Sequence, residues 1–259
     1  MSTMLILAGF LTGLIVGLTG VGGGALMTPI LLLIFGIAPV TAVGTDLWFA
    51  AITKLVATRI HSAAGLIDWQ VTKRLWAGSL PAAGATVLAM KAGLIATSFD
   101  LLKTAVAVAV LVTALGLFLQ PFLQKVGRGQ RLNKTNSFKS WQPALTVAAG
   151  AGLGVIVTLT SVGAGALGVV MLTYLYPLRL TPARLIATDI VHAIPLALFA
   201  GLGHLMVGHV DFELLGWLLL GSIPGVFIGA KLSSRLPARI LRIALALVLC
   251  AVAIKLLGS

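Results

Sequence analysis

Charged side chains are scarce in this chain of 259 residues, because only 9% of them are Asp, Glu, Lys or Arg and 59% are hydrophobic. Soluble domains carry about 25% charged residues, so the composition excludes a water-soluble enzyme. Cysteine is nearly absent as well. The single one, Cys250, excludes an internal disulfide and a zinc site built from several thiolates. Since no nucleophile-base-acid set, phosphate loop or paired acidic site is present, we predict no enzyme, no cofactor and no bound metal.

Long apolar runs fill the chain instead. Eight blocks can be drawn, at residues 4–35, 40–62, 73–96, 101–122, 143–176, 183–206, 213–232 and 238–257. Runs of about 20 apolar residues are typical of membrane-spanning helices, so the sequence predicts an all-α polytopic membrane protein. The net charge of +12 comes without an aromatic-basic binding motif, and we therefore assign it to loops that orient the protein rather than to nucleic acid.

The two halves of the chain are related by duplication. The string 19–26 matches 160–167 at an offset of 141, and the pair Thr45-Asp46 then matches Thr188-Asp189 at an offset of 143. Matches between such rare polar and glycine residues are not expected from apolar composition alone. We predict a first membrane repeat at 1–123, a basic cytoplasmic linker at 124–142 and a second membrane repeat at 143–259.

Loop charge predicts how the repeats are oriented. If every block crossed the membrane once, sixteen Lys and Arg residues near the block ends would divide equally between the two sides. If the first and fifth blocks instead break at their glycine clusters and turn back, the same residues divide thirteen to three, as the positive-inside rule favours. This predicts two inverted-topology repeats, each with a glycine-broken re-entrant hairpin and three transmembrane helices. The linker would face the cytoplasm and both termini the periplasm.

The glycine clusters are the first candidate binding elements. Gly20-Val-Gly-Gly-Gly24 matches a dinucleotide fingerprint only weakly, since no strand precedes it. Packing is a second interpretation, and it suits the spaced Gly9, Gly13 and Gly17 better. In the third, the helix unwinds beside a cavity, and the amides of the restarted helix favour an anion. The candidate substrate-binding residues of both clusters are Gly22, Gly23, Gly24, Ala25, Ser161, Gly163, Ala164 and Gly165.

Polar side chains inside the apolar blocks form the second candidate set. Lys54 lies deep in its block, and the hydroxyls of Thr45 and Thr188 would donate to a substrate. Candidate proton-coupling residues are Asp46, Asp189, His61 and His204. Alternatively, the two Thr-Asp pairs only cap their helices.

These features together resemble the TauE/SafE sulfite exporter family, also called TSUP, over residues 5–257. The resemblance is carried by Gly20-Val-Gly-Gly-Gly-Ala-Leu-Met-Thr-Pro29, Ala42-Val-Gly-Thr-Asp-Leu47, Lys54, His61 and Gly65-Leu-Ile-Asp-Trp69. It implies a multi-pass permease of the bacterial inner membrane, in a family whose members are linked to sulfite, sulfoacetate and other organic anions. Ser161 and Ala164 replace glycines in the second half, and no lysine matches Lys54, so the half-sites are not equivalent.

Our leading hypothesis is a secondary transporter that exports a small sulfur-containing or organic anion by alternating access. Basic residues at the predicted cytoplasmic mouth would concentrate anions there. They are Lys73, Arg74, Arg179, Arg184 and Arg235. A divalent-cation permease and a non-transporting membrane scaffold are the alternatives. The expected partners are a small anionic substrate and the lipid bilayer, and a homodimer is compatible with the sequence.

Overall fold

A computed structural model describes residues 1–19, 24–61, 65–95, 98–133, 135–163, 165–233 and 237–258. These residues form ten helices and no strand, which confirms the all-α class. The helices are α1 (Ser2–Thr19), α2 (Gly24–Leu33), α3 (Pro39–His61), α4 (Trp69–Lys91), α5 (Phe99–Asn133), α6 (Thr135–Thr160), α7 (Ala166–Leu175), α8 (Pro182–Met206), α9 (Phe212–Ser233) and α10 (Ala238–Gly258). Seven of them are long and apolar enough to cross a membrane.

The packing of the helices repeats as the sequence does. Helices α1 to α5 of the first half correspond in order to α6 to α10 of the second. Helix α1 packs along α9, and its counterpart α6 packs along α4. At the centre α3 packs on α8 and α5 packs on α10, so each pair joins two equivalent helices. The halves are therefore interleaved, and every long helix has a main partner in the other half.

Two glycine faces explain how closely α1 and α9 approach each other. A Cβ added at Gly13 would overlap the backbone of Ser222, and one added at Gly225 would overlap the backbone of Phe10. The spacing-four glycines of both helices thus face each other, which confirms the packing interpretation for them. In α4 and α6, Gly78 and Gly154 make equivalent contacts with Val147 and Ser79. Small residues fix the same close crossing in both halves.

The predicted linker is made of helix ends. Helix α5 has 35 residues, a length of about 50 Å that exceeds the thickness of a bilayer. Its last turns, together with the first turns of α6, contain residues 124–133 and 135–142. The described basic residues of this segment, Lys125, Arg128, Arg131 and Lys139, therefore lie on helices.

Helices α2 and α7 are short, with ten residues each, and their length of about 15 Å is half the thickness of a bilayer's hydrocarbon layer. In the second half, α6 ends at Thr160 and α7 begins at Ala166. Between them Ser161 has φ +58° and Gly163 φ +108°, values at which a helix cannot continue. In the first half, α1 ends at Thr19 and α2 begins at Gly24. Gly22, Gly23 and Ala164 lie outside the described residues.

Candidate functional site

Charged and polar side chains meet in the interior where α3 crosses α8. Asp46 and Lys54 come from α3, Asp189 and His192 come from α8, and Ser161 comes from the break before α7. All five are at most 2% exposed. An ion is costly to bury without a partner, so this cluster is the first candidate for a functional site.

The carboxylate of Asp46 lies at the N-terminal part of α2. Its Oδ2 accepts hydrogen bonds from the backbone N–H of Thr28 at 3.2 Å and from the Thr28 hydroxyl at 2.5 Å. The hydroxyl of Ser161 lies beside the same carboxylate, although it makes no hydrogen bond at normal distance within the described chain. A carboxylate near a helix N-terminus is stabilised by the helix dipole, and Asp46 is further fixed by Thr28.

The carboxylate of Asp189 lies at the N-terminal part of α7, but it is held differently. It lies so close to Gly168 that a Cβ there would overlap Oδ1. Neither of its oxygens accepts a hydrogen bond from the described residues. At the offset of 141, Gly168 is the counterpart of Met27 and Val169 is the counterpart of Thr28. The second half thus has room for the carboxylate but no hydroxyl to hold it.

Lys54 supplies the positive charge of the cluster. Its ammonium group lies within electrostatic range of both Asp46 and Asp189, and His192 is close enough to be affected by the same charge. The Nε2 atom of His192 shares a hydrogen bond of 3.0 Å with the Ser79 hydroxyl. The ring is therefore oriented by α4 and does not bond to Asp189.

Thr45 and Thr188 join the two halves at the ends of the cluster. The hydroxyl of Thr188 accepts a hydrogen bond of 3.0 Å from the backbone N–H of Asp68, and Thr45 accepts an equivalent one of 3.0 Å from Asp211. Each threonine therefore binds the residue that immediately precedes a helix of the opposite repeat. We call these two contacts the threonine latches.

An arginine reinforces one latch. Arg179 donates to Asp68 through Nε at 2.6 Å and through a terminal nitrogen at 2.8 Å, and it also bonds Gln70. Burial opposes ionisation of Asp68, but the hydrogen bonds and charge of Arg179 outweigh it and hold the pKa of the carboxyl below its usual value. Asp211 has no such ion pair within the described chain, and Gly36 is the counterpart of Arg179.

A basic cavity of about 480 Å³ opens next to this reinforced latch. It lies between the start of α4, the end of α5, the start of α6 and the segment that follows α7. Its lining includes four cationic side chains, Arg74, Arg131, Lys139 and Arg179, and no acidic one. Arg74 donates to the Tyr176 hydroxyl at 3.3 Å, which orients it along the wall. A cavity of this charge attracts anions.

Comparison with known proteins agrees with this geometry. The family model described as sulfite exporter TauE/SafE matches residues 5–256. The chain belongs to the TauE/SafE sulfite exporter family. Two relatives from Bacillus subtilis (strain 168) carry the names "Probable membrane transporter protein YjnA" and "Probable membrane transporter protein YdhB". YjnA is 36% identical over 99% of this chain and 100% of its own. YdhB is 30% identical over 93% of this chain and 94% of its own. No solved structure matches.

Membership of the TauE/SafE family confirms the resemblance seen in the sequence. The family description and the names of both relatives concern transport rather than catalysis. With seven apolar helices of spanning length, the chain is a multi-pass membrane protein of a transporter family.

The structure brings together part of the predicted site of this TauE/SafE protein. Ala25 is buried in the first turn of α2, and Gly24 begins that helix. Ser161, Gly163 and Gly165 form the break before α7. Lys54 lies among the carboxylates. The helix-capping interpretation is wrong, because α3 begins at Pro39 and α8 at Pro182, about two turns before Asp46 and Asp189.

The histidines of the predicted site lie elsewhere. His204 shares a hydrogen bond of 2.8 Å with the carbonyl of Thr158, near the end of α6, and its ring lies 5.6 Å from that of His209. His61 is the last residue of α3, and its side chain lies outside the described part of the chain. Of the predicted basic mouth, Arg74 and Arg179 line the cavity, and Arg235 lies outside the described residues.

Two functional contacts were missed at the sequence level. One is the bond from Thr28 to Asp46, and the mismatch between Thr28 and Val169 in the repeat alignment was its signal. The other is the pair of Asp68 and Arg179, which are 111 residues apart. A contact over that distance leaves no local pattern in the sequence.

Proposed function

We propose that this protein is a secondary transporter that exports a small sulfur-containing or organic anion across the bacterial inner membrane by alternating access between two inverted repeats. Sulfite, sulfoacetate and related sulfonates are the candidate substrates. The observation that carries the proposal is that the carboxylates beside two half-length helices, Asp46 at α2 and Asp189 at α7, share one buried lysine. Broken helices whose N-termini point to a central site are what inverted-repeat transporters use to bind anions.

Substrate binding would take place around the N-termini of α2 and α7. The first-turn amides of both helices supply partial positive charge, and Lys54 supplies a full one. The Ser161 hydroxyl, which has no bond of normal length to the described residues, would donate to the substrate. Thr45 and Thr188 would act indirectly, because their hydroxyls already accept backbone hydrogen bonds.

The basic cavity would be the cytoplasmic entrance. It gathers charges from the linker, from α4 and from the segment after α7, which by the positive-inside rule would lie together on the cytoplasmic side. Each negative charge that leaves a cell with a negative interior gains about 2.3 kcal/mol per 100 mV. An anion that entered this cavity would therefore be driven outward by the membrane potential.

The same cluster disfavours the two alternative functions. A divalent cation would be repelled by the ammonium of Lys54, which lies within electrostatic range of both carboxylates. A scaffold whose helices only pack together would gain nothing from burying three ionisable groups at its centre, since each is costly in an apolar interior.

The test is flux in proteoliposomes loaded with sulfite or sulfoacetate. We expect exchange of labelled for unlabelled anion, outward movement of negative charge under an inside-negative potential, and no flux with chloride. Lys54→Ala should abolish the flux, whereas Lys255→Ala, which removes an exposed lysine of α10, should leave it unchanged. Absence of flux for every sulfur oxyanion, in protein that still unfolds cooperatively, would refute the proposed function.

A further inference from the structure

Each half-helix that would bind an anion already has a carboxylate of the protein beside its N-terminal turns. Asp46 accepts hydrogen bonds at α2, and Asp189 lies against Gly168 in the first turn of α7. A helix N-terminus binds one anion or another according to which is present. Hence a substrate anion has to compete with a carboxylate of the chain for each end.

The outcome of this competition depends on whether the buried carboxylates are ionised or protonated. Asp189 lies within electrostatic range of Lys54 from α3, which also interacts with Asp46 and with His192, and its carboxylate lies against Gly168 of α7. Two carboxylates and one ammonium leave one uncompensated negative charge when all three are ionised and the imidazole is neutral. A substrate anion would add to that excess in a site shielded from water, where like charges repel strongly. One carboxylate therefore has to be neutralised before the anion enters.

The hydrogen bonds indicate which carboxylate changes. Asp46 would have to give up two bonds from Thr28, including a short one from a hydroxyl, and such charge-assisted bonds are the strong ones. Asp189 has no hydrogen bond to lose within the described chain. Gly168, which has no side chain, is what allows this carboxyl to lie against α7.

We propose that Asp189 is the proton-exchanging group that couples anion transport to protons, and that Asp46 remains the fixed counter-ion of Lys54. Asp189 takes a proton from water on the side to which the site is open, and the neutral carboxyl leaves the end of α7 to the substrate. On the opposite side the substrate departs, the O–H bond breaks, and the carboxylate returns to the helix end. One proton thus crosses in the same direction as each anion. This inference rests on the proposed function and specifies its coupling ion.

Sulfoacetate is the probe for testing this coupling, because both of its acid groups stay ionised between about pH 6 and pH 8. The first measurement is anion exchange by the wild-type protein, which needs no net proton movement. The second is the affinity for sulfoacetate as a function of pH, with proton uptake on binding followed by an indicator dye. As pH rises, the affinity of the wild type for sulfoacetate should fall by up to about tenfold per pH unit, which is the limit for one linked proton.

Asp189→Asn and Asp46→Asn are the matched variants. Asp189→Asn mimics the neutral carboxyl, so its affinity for sulfoacetate should change less than about twofold over the same pH range, and binding should take up no proton. Asp46→Asn should keep the pH dependence of the wild type. If Asp189→Asn retains that dependence or its proton uptake, the coupling role is refuted while the transport function stands. If wild-type protein exchanges no anion, the proposed function fails and this inference fails with it.

Discussion

The two half-helices, α2 and α7, are equivalent by duplication, but the carboxylates beside them are held differently. Each begins beside a carboxylate that a neighbouring long helix supplies, Asp46 for α2 and Asp189 for α7. In the first half Thr28 fixes the carboxylate, whereas in the second Val169 occupies the equivalent position and Gly168 opens space. The difference lies in two side chains on one helix turn. Because of this difference Asp46 is hydrogen-bonded, whereas Asp189 accepts no hydrogen bond in the described structure.

The threonine latches differ in the same manner. Asp68 is almost buried and is held by Arg179, whereas Asp211 is exposed and carries no ion pair in the part of the chain that the structure describes. The reinforced latch adjoins the basic cavity, which Arg179 also lines. We therefore expect the two latches to open with different ease. An anion in the cavity would compete with Asp68 for the arginine.

Removal of Lys54 should have the largest effect, because it acts on the carboxylates of both halves. Lys54→Met leaves both buried carboxylates without their cation, and loss of one partner of a buried pair costs about 3–5 kcal/mol. We expect thermal unfolding of the purified protein to shift accordingly, and anion exchange to be lost.

Second substitutions on the Lys54→Met background identify its fixed counter-ion. If Asp46 holds that role, Asp46→Asn restores more stability than Asp189→Asn does, because Asp189 can already be neutralised by a proton. Equal rescue by both substitutions would contradict the assignment of separate roles.

Thr28→Val should make the first half resemble the second. The substitution removes the hydroxyl that donates to Asp46 at 2.5 Å, and a hydrogen bond to a charged group contributes about 1.5–3 kcal/mol. We expect a loss of stability of that size and a steeper pH dependence of sulfoacetate binding, since two carboxylates would then exchange protons. Thr28→Ser retains the hydroxyl and is the control.

The reciprocal change is Val169→Thr, which offers Asp189 the donor that the second half lacks. It should weaken the pH dependence of binding and slow transport. If both swaps leave binding and its pH dependence unaltered, the difference between the two carboxylates has another origin.

Ser161 allows a smaller and more local test of the second half. Its positive φ of +58° is unfavourable for a serine by about 1 kcal/mol or more, whereas glycine, which stands at the equivalent position 20, adopts it readily. Ser161→Gly should therefore raise stability by about 1 kcal/mol and weaken anion binding. Ser161→Ala loses the hydroxyl but keeps the strain. It should weaken binding equally without the gain in stability, and a gain with alanine would exclude strain as the cause.

Much of the fold could be predicted from the sequence because its signals are local or repeated. Apolar length predicts the helices, and glycine spacing predicts the faces that join α1 to α9. The offset between the halves identifies Asp46 and Asp189 as equivalent. What could not be predicted is which neighbours these carboxylates meet. The contact of Asp189 with Gly168 and that of Asp68 with Arg179 depend on how long helices cross, and no periodicity along the chain encodes that.

The smallest effect concerns the reinforced latch, where pH is the appropriate probe. Arg179 is 42% exposed at its side chain, so the ion pair contributes less than about 1 kcal/mol. Because the pKa of Asp68 is lowered by Arg179 from its ordinary 3.8, this contribution is fully present above that pH and disappears as pH falls through the lower, folded-state value. The difference in melting temperature between wild type and Asp68→Asn should thus stay constant from about pH 8 to pH 5 and shrink only below 3.8. Asp211→Asn, at the latch without an arginine, should show a smaller difference, and an equal one would contradict the contrast between the two latches.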